Sequence, residues 1–153
     1  MPHIANIGTL LALAFVLVSF RAQSETDDHL RYERLYADAD GSSRFSEDAM
    51  PWQRAENVAG ATQTIENLSL VATELRFVRT PPGFESEWHT TSRRQFLLVM
   101  EGTVEFETRN GDKRQFEAGS LILTEDTTGE GHITRNVGDE ELVMALVTVP
   151  AEN

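Results

Sequence analysis

Between residues 68 and 149 the chain alternates apolar and polar positions in short runs, each stopped by glycine, proline or an acidic turn. Residues 68–71 and 73–79 read as strands, the second with Leu75 and Phe77 on one face and Glu74 and Arg76 on the other. Pro81-Pro82-Gly83 ends that run. Residues 96–100 are apolar at every position, which predicts a strand buried on both faces. Residues 103–108 alternate, with Val104 and Phe106 inward and Glu105 and Glu107 outward. Asn110-Gly111 is a hairpin turn, and residues 113–116, 120–124, 133–137 and 142–149 complete the strands. No amphipathic helical pattern interrupts the series. Many short strands at regular spacing predict an all-β sandwich or barrel.

The first third reads differently. Residues 25–37 are polar apart from Leu30, Tyr32, Leu35 and Tyr36, too weakly periodic for more than a linker or a short helical turn. Asp38-Ala39-Asp40-Gly41 is a turn. Aligned to a calcium loop, it would place Tyr36 where the first carboxylate belongs and Ser43 where an apolar residue belongs, which favours an acidic hairpin. Residues 44–52 read as an extended edge segment stopped by Pro51, and residues 56–67 as a loop. Residues 10–20 form a continuous apolar run with one serine, followed by the small-x-small triplet Ala22-Gln23-Ser24. That is a secretory signal pattern, too short for an ordinary membrane span. No Lys or Arg precedes the run and Arg21 follows it, so an uncleaved anchor and a misplaced start codon are the alternatives. The expected organisation is a signal or anchor over residues 1–24, an arm over 25–40 and one barrel domain over 41–150. The expected location is exported, periplasmic or secreted, with no stable membrane association once the signal is removed.

Composition narrows the chemistry. A chain of 153 residues suits one domain with a real core. Its net charge of -12, with no cluster of Lys or Arg, argues against nucleic acid and anionic membrane as partners. The absence of cysteine excludes disulfides, thiol nucleophiles and thiolate metal sites. Histidine is scarce: His3, His29, His89 and His132 are the full set, and only His89 and His132 fall in strand-like segments of the domain.

Those two histidines sit in recurring frames. Gly83 is followed by five residues and His89, then Thr91, Gln95 and, six residues on, Gly102. Gly119, Glu125, Gly129, His132 and Asn136 form the second frame. The pattern resembles the two motifs of the cupin superfamily, and the stretches Ala37–Phe45, Trp88–Phe96 and Glu125–His132 resemble small single-domain bacterial cupins. The resemblance covers about residues 68–149 and implies a cupin-type jelly-roll β-barrel, also called a double-stranded β-helix. In metal-bearing cupins the first motif supplies two histidines and a glutamate, and the second a histidine, to ions such as Fe, Mn, Ni or Zn. Here Thr91 stands at the second histidine, Gln95 at the glutamate and Glu125 at the proline of the second motif.

Two expectations follow for the site. If the strand through His89 is unbroken, alternation puts Glu87, His89 and Thr91 on one face, and Glu87 can supply a carboxylate. Glu87, His89 and His132, with Gln95 supporting, would then hold a divalent metal. Otherwise His89 and His132 are the general acid and base of a metal-free pocket lined by Phe77, Thr91, Gln95, Leu97, Val104 and Phe106. Gln95 needs a polar partner, and His89 is the expected one. One of Arg93 and Arg94 is expected to pair with Glu125 or Asp126, with anion binding as the alternative role. Trp88 is expected in the core or an interface. The functional expectation is a cupin that holds a small organic ligand, and if it is catalytic, His89 or His132 is the acid/base group. A metal-dependent oxygenase or lyase and a non-catalytic dimeric binding module are the alternatives. A homodimer is expected to cover the second apolar face carried by Phe96, Leu98 and Met100.

Overall fold

The computed structural model describes residues 28–55 and 65–151. The signal-like run and the triplet after it lie outside the described residues, as do residues 56–64 of the expected loop. The described chain is built from strands, with no helix among the described residues. In order they are β1 (His29–Ala37), β2 (Ser43–Pro51), β3 (Gln53–Ala55), β4 (Ile65–Asn67), β5 (Glu74–Thr80), β6 (Gln95–Glu101), β7 (Thr103–Thr108), β8 (Lys113–Glu117), β9 (Leu121–Thr124), β10 (His132–Asn136) and β11 (Leu142–Thr148).

Six strands form one sheet in the order β2-β1-β9-β6-β11-β5, and β10-β7-β8 form a second. Two isolated bridges, Glu85 to Arg135 and His89 to His132, add the segment before β6 to the free edge of β10. The inward faces meet around Leu35, Leu97, Val99, Phe106, Ile122 and Leu146. This is the barrel expected from the alternating pattern, and β3 and β4 form a separate small ribbon.

The expected arm is part of the barrel. His29–Ala37 pairs with β2 over its whole length and runs parallel to β9 from Glu33 to Leu35. Its periodicity is that of a strand: Leu35 is fully buried in the core, while Tyr32, on the opposite face, packs edge-on against Phe96. Tertiary pairing thus overrides a polar composition that reads as a linker. The acidic turn between β1 and β2 serves the hairpin: Asp38 and Asp40 both bind Arg44, at 2.7 and 2.8 Å. The amide of Ser42, followed by Arg44, holds the Asp40 carboxyl below its usual range. Residues 68–71, expected as a strand, form none and leave Val71 exposed.

The second face of β6 is only partly covered. Phe96 is buried with Leu123 and Val149, but Leu98 and Met100 are 42% and 47% exposed. Asn136, the last residue of the second frame, has a structural role. Its amide nitrogen donates to the carbonyls of Thr80, Pro81 and Glu140, and its side-chain oxygen accepts from the Gly138 amide. One buried side chain thereby ties β10 to the ends of β5 and β11.

Candidate functional site

His89 and His132 share one pocket. They lie opposite each other across an antiparallel bridge, where each backbone amide donates to the other's carbonyl at 3.0 and 2.9 Å. Directly opposed residues project to the same side of a sheet, and the two ring centroids are 4.6 Å apart. Glycines make this approach possible. Gly131 lies against the carbonyl of His89, and Gly129 against that of Gly41.

The hydrogen-bond partners assign the tautomers. Nδ1 of His132 lies 2.7 Å from Oδ2 of Asp126. Nδ1 of His89 lies 2.9 Å from the carbonyl of Glu87, with Ser86 Oγ at 3.2 Å. Carboxylate and carbonyl oxygens only accept, so both neutral imidazoles carry their proton on Nδ1 and keep Nε2 as an acceptor. Asp126 is fully buried and also accepts from Ser43 Oγ at 2.8 Å and Thr91 Oγ1 at 2.7 Å. Three donors from three parts of the chain therefore hold one carboxylate behind His132, fixing the ring's orientation.

The cavity beside the rings has a volume of about 220 Å³. Thr90, Thr91 and Ser92 form one side, Leu97, Met144 and Leu146 the apolar wall, and Gln95, Thr124 and Thr134 add polar groups. Phe106 packs edge-on against His132, with centroids 5.2 Å apart. Of the expected lining, His89, His132, Thr91, Gln95, Leu97 and Phe106 are in place.

Four expectations change. Phe77 is 66% exposed and does not line the cavity, because the face of β5 it shares with Leu75 turns outward. Val104 is fully buried in the core and does not line the cavity either. Glu87 is exposed and outside the lining. The segment bends at Trp88, so the unbroken alternation that would have aligned Glu87 with His89 is absent, and Glu87 contributes its backbone carbonyl instead. Gln95 is buried and lines the cavity, yet its side-chain oxygen accepts from Arg76 Nη2 at 3.1 Å instead of from His89. Trp88 is half-buried, with the Arg109 guanidinium 3.9 Å above its ring.

The arginines pair as ions. Arg94 meets Glu125 at 2.7 Å, Arg34 binds the same carboxylate, and Arg93 meets Glu74 at 2.7 Å. On the outer face of the small sheet, Arg135 links Glu85, Glu105 and Glu107, which anchors the start of the His89 segment. Arg135, and after it Lys113, lowers the Glu107 carboxyl, while Glu85 and then Glu107 raise Arg135.

For a divalent metal the donor set is incomplete. Two imidazole Nε2 atoms are suitable ligands. No group of three His, Cys, Asp or Glu side chains capable of holding an ion occurs among the described residues. The oxygen of Gln95 faces a guanidinium, and the one carboxylate at hand, Asp126, is spent on three donors behind the ring. These residues do not fit a tightly held metal.

Sequence reasoning missed Ser43, Asp126 and Arg76. Asp126 carried one available signal, its place six residues before His132, but it is expected only as an alternative ion-pair partner of Arg93 or Arg94. Ser43 lies at the start of the expected barrel domain, just before the segment read as an edge strand, and nothing in its neighbourhood marks it.

Residues 76–149 match the family model described as a cupin domain. The chain is 33% identical over 72 residues to oryzines biosynthesis cluster protein J of Aspergillus oryzae, a match covering 47% of this chain and 38% of that protein. Among solved structures it is similar to a cupin domain from Bordetella pertussis, with 26% identity, 55% of this chain and 88% of that chain covered, and a TM-score of 0.43. It is also similar to a cupin 2 conserved barrel domain protein from Salinispora arenicola, with 20% identity, 76% and 82% coverage and a TM-score of 0.42.

Proposed function

The chain belongs to the cupin superfamily, and from that premise we propose that its barrel is a chamber for a small organic molecule held and protonated or deprotonated by His89 and His132. The observation that carries the reading is the pair of imidazoles, 4.6 Å apart on the wall of a cavity of about 220 Å³. Ligand cavities are mostly apolar with a few convergent polar groups, and this one has that character. His132 is the better base. Asp126 fixes its tautomer and lies where it stabilises the imidazolium that forms when Nε2 takes a proton. His89, held only by a carbonyl and a serine hydroxyl, is the partner that relays or returns the proton. Such a pair suits isomerisation, lyase or hydrolytic chemistry on a small polar metabolite.

Native mass spectrometry of protein purified without chelator is expected to show a small-molecule adduct. His89→Ala and His132→Ala should each reduce its occupancy at least about tenfold, the loss of one good polar contact to a buried ligand. An adduct retained by both variants would exclude the shared pocket.

A homodimer is the second reading, favoured by the outer face of the large sheet. Phe77 pairs through Ala145 with Leu98, and Leu75 through Val147 with Phe96. Leu75 and Phe77 are 58% and 66% exposed, and Leu98 and Met100 extend the patch. Contiguous exposed apolar area of this kind marks interaction surfaces. Light scattering should report a dimer that Leu98→Glu converts to monomer with the fold intact. A monomeric parent protein contradicts this reading.

A further inference from the structure

We propose that the ligand is a small hydroxy acid, its carboxylate held at the cavity mouth by Arg76 and its hydroxyl donating to an imidazole Nε2. This rests on the small-ligand reading above and specifies its chemistry.

The argument starts at Gln95. A guanidinium has donors and no acceptor. The atom of Gln95 that lies 3.1 Å from Arg76 Nη2 is therefore the oxygen, and the amide nitrogen is left to donate. Arg76 stands on the cavity side of the sheet. It is opposite Leu146, which is opposite Leu97, and both leucines line the cavity. Its side chain is 42% exposed, so the guanidinium stands between the buried amide and solvent.

The charge around it is uneven. Glu74 lies 3.7 Å from Arg76 and 2.7 Å from Arg93, so one carboxylate serves two guanidiniums. A guanidinium that shares its carboxylate keeps donors for a second anion, and it pairs with carboxylate through two parallel hydrogen bonds.

The two imidazoles ask for the opposite chemistry. Both Nε2 atoms are acceptors, since each Nδ1 proton is committed to an oxygen. A molecule that satisfies guanidinium and imidazoles has a carboxylate at one side and a hydroxyl donor at the other. At about 220 Å³ the cavity lies below the range for drug-sized ligands, which limits the acid to a few carbons.

The test is a titration of intact protein with three- to six-carbon hydroxy acids, their primary amides and the matching acids lacking the hydroxyl. Binding is read by calorimetry and by the imidazole NMR signals of His89 and His132. At least one hydroxy acid should bind about tenfold tighter than both its amide and its deoxy partner. Arg76→Gln should erase the acid-to-amide gap, and Arg76→Lys should keep most of it, so a folded, charge-conserving variant stands beside the disruptive one. Acid and amide binding alike, with imidazole signals shifting, would overturn the hydroxy-acid assignment and leave the small-ligand reading standing. No imidazole shift with any compound would overturn both.

Discussion

Replacing Asp126 by alanine is expected to lower the free energy of unfolding by about 3 to 5 kcal/mol, the cost of leaving three buried donors without their acceptor. The side chain is fully buried and accepts from Ser43 Oγ, Thr91 Oγ1 and His132 Nδ1. Alanine leaves all three donors in an enclosed space without an acceptor, and each such loss costs about 1 to 3 kcal/mol. The three donors come from β2, the segment before β6, and β10, so the damage spans the barrel. Urea unfolding of the variant measures it, and a change below about 1 kcal/mol would mean that water replaces the carboxylate at little cost. The milder change Asp126→Asn separates stability from function. An amide nitrogen beside His132 turns the ring's Nδ1 into an acceptor and moves the proton to Nε2. Nitrogen NMR of the ring should show that switch in Asp126→Asn, with ligand binding falling more than stability does.

The difference between what the sequence reveals and what it hides follows from the range of each interaction. Strand pairing in the domain is written in local alternation: Val104 and Phe106 inward, Glu105 exchanged with Gln115 across the hairpin that Asn110-Gly111 closes. His89 and His132 were also legible, because glycines at fixed distances frame each of them. Phe77 shows where the local argument stops. Alternation tells which residues share a face with Leu75, but not which face is inside, and a sheet with apolar residues on both sides offers no preference. The same ambiguity hid Arg76, whose polar face is the inward one. Glu87 failed for another reason: alternation presumes an unbroken strand, and the bend at Trp88 breaks it. Asp126, Ser43 and Thr91 meet only after β1 and β2 join the sheet, and until their partners are known β1 reads as a polar arm and β2 as an edge segment. The metal expectation fell with these contacts. It required a carboxylate in the pocket, and the chain places one behind the pocket, bonded to the ring that a metal would have bound from the front.

Gly131→Ala should do to the backbone what Asp126→Ala does to the side chains. An added Cβ would lie 2.2 Å from the carbonyl oxygen of His89, 2.4 Å from its carbon and 2.9 Å from the Thr90 nitrogen. No rotamer change relieves contacts with backbone, so the two segments must separate. The carbonyl in question accepts the His132 amide, and its displacement opens the bridge that sets the two rings side by side. The backbone itself adds a cost, since φ is +72 at this position and a non-glycine residue there loses about 1 to 2 kcal/mol. Gly111→Ala supplies the comparison: its φ is +85, but nothing lies within 4 Å of the added Cβ. Gly111→Ala should therefore show the conformational cost alone, about 1 to 2 kcal/mol, with the ring contact intact. Gly131→Ala should exceed it by at least about 1 kcal/mol, the smallest effect typical of overpacking, and should abolish the NMR contact between the His89 and His132 rings. Equal losses in the two variants, with the ring contact preserved in both, would show that the site tolerates separation of its two strands. The close approach at Gly131 would then not be what holds the histidines together.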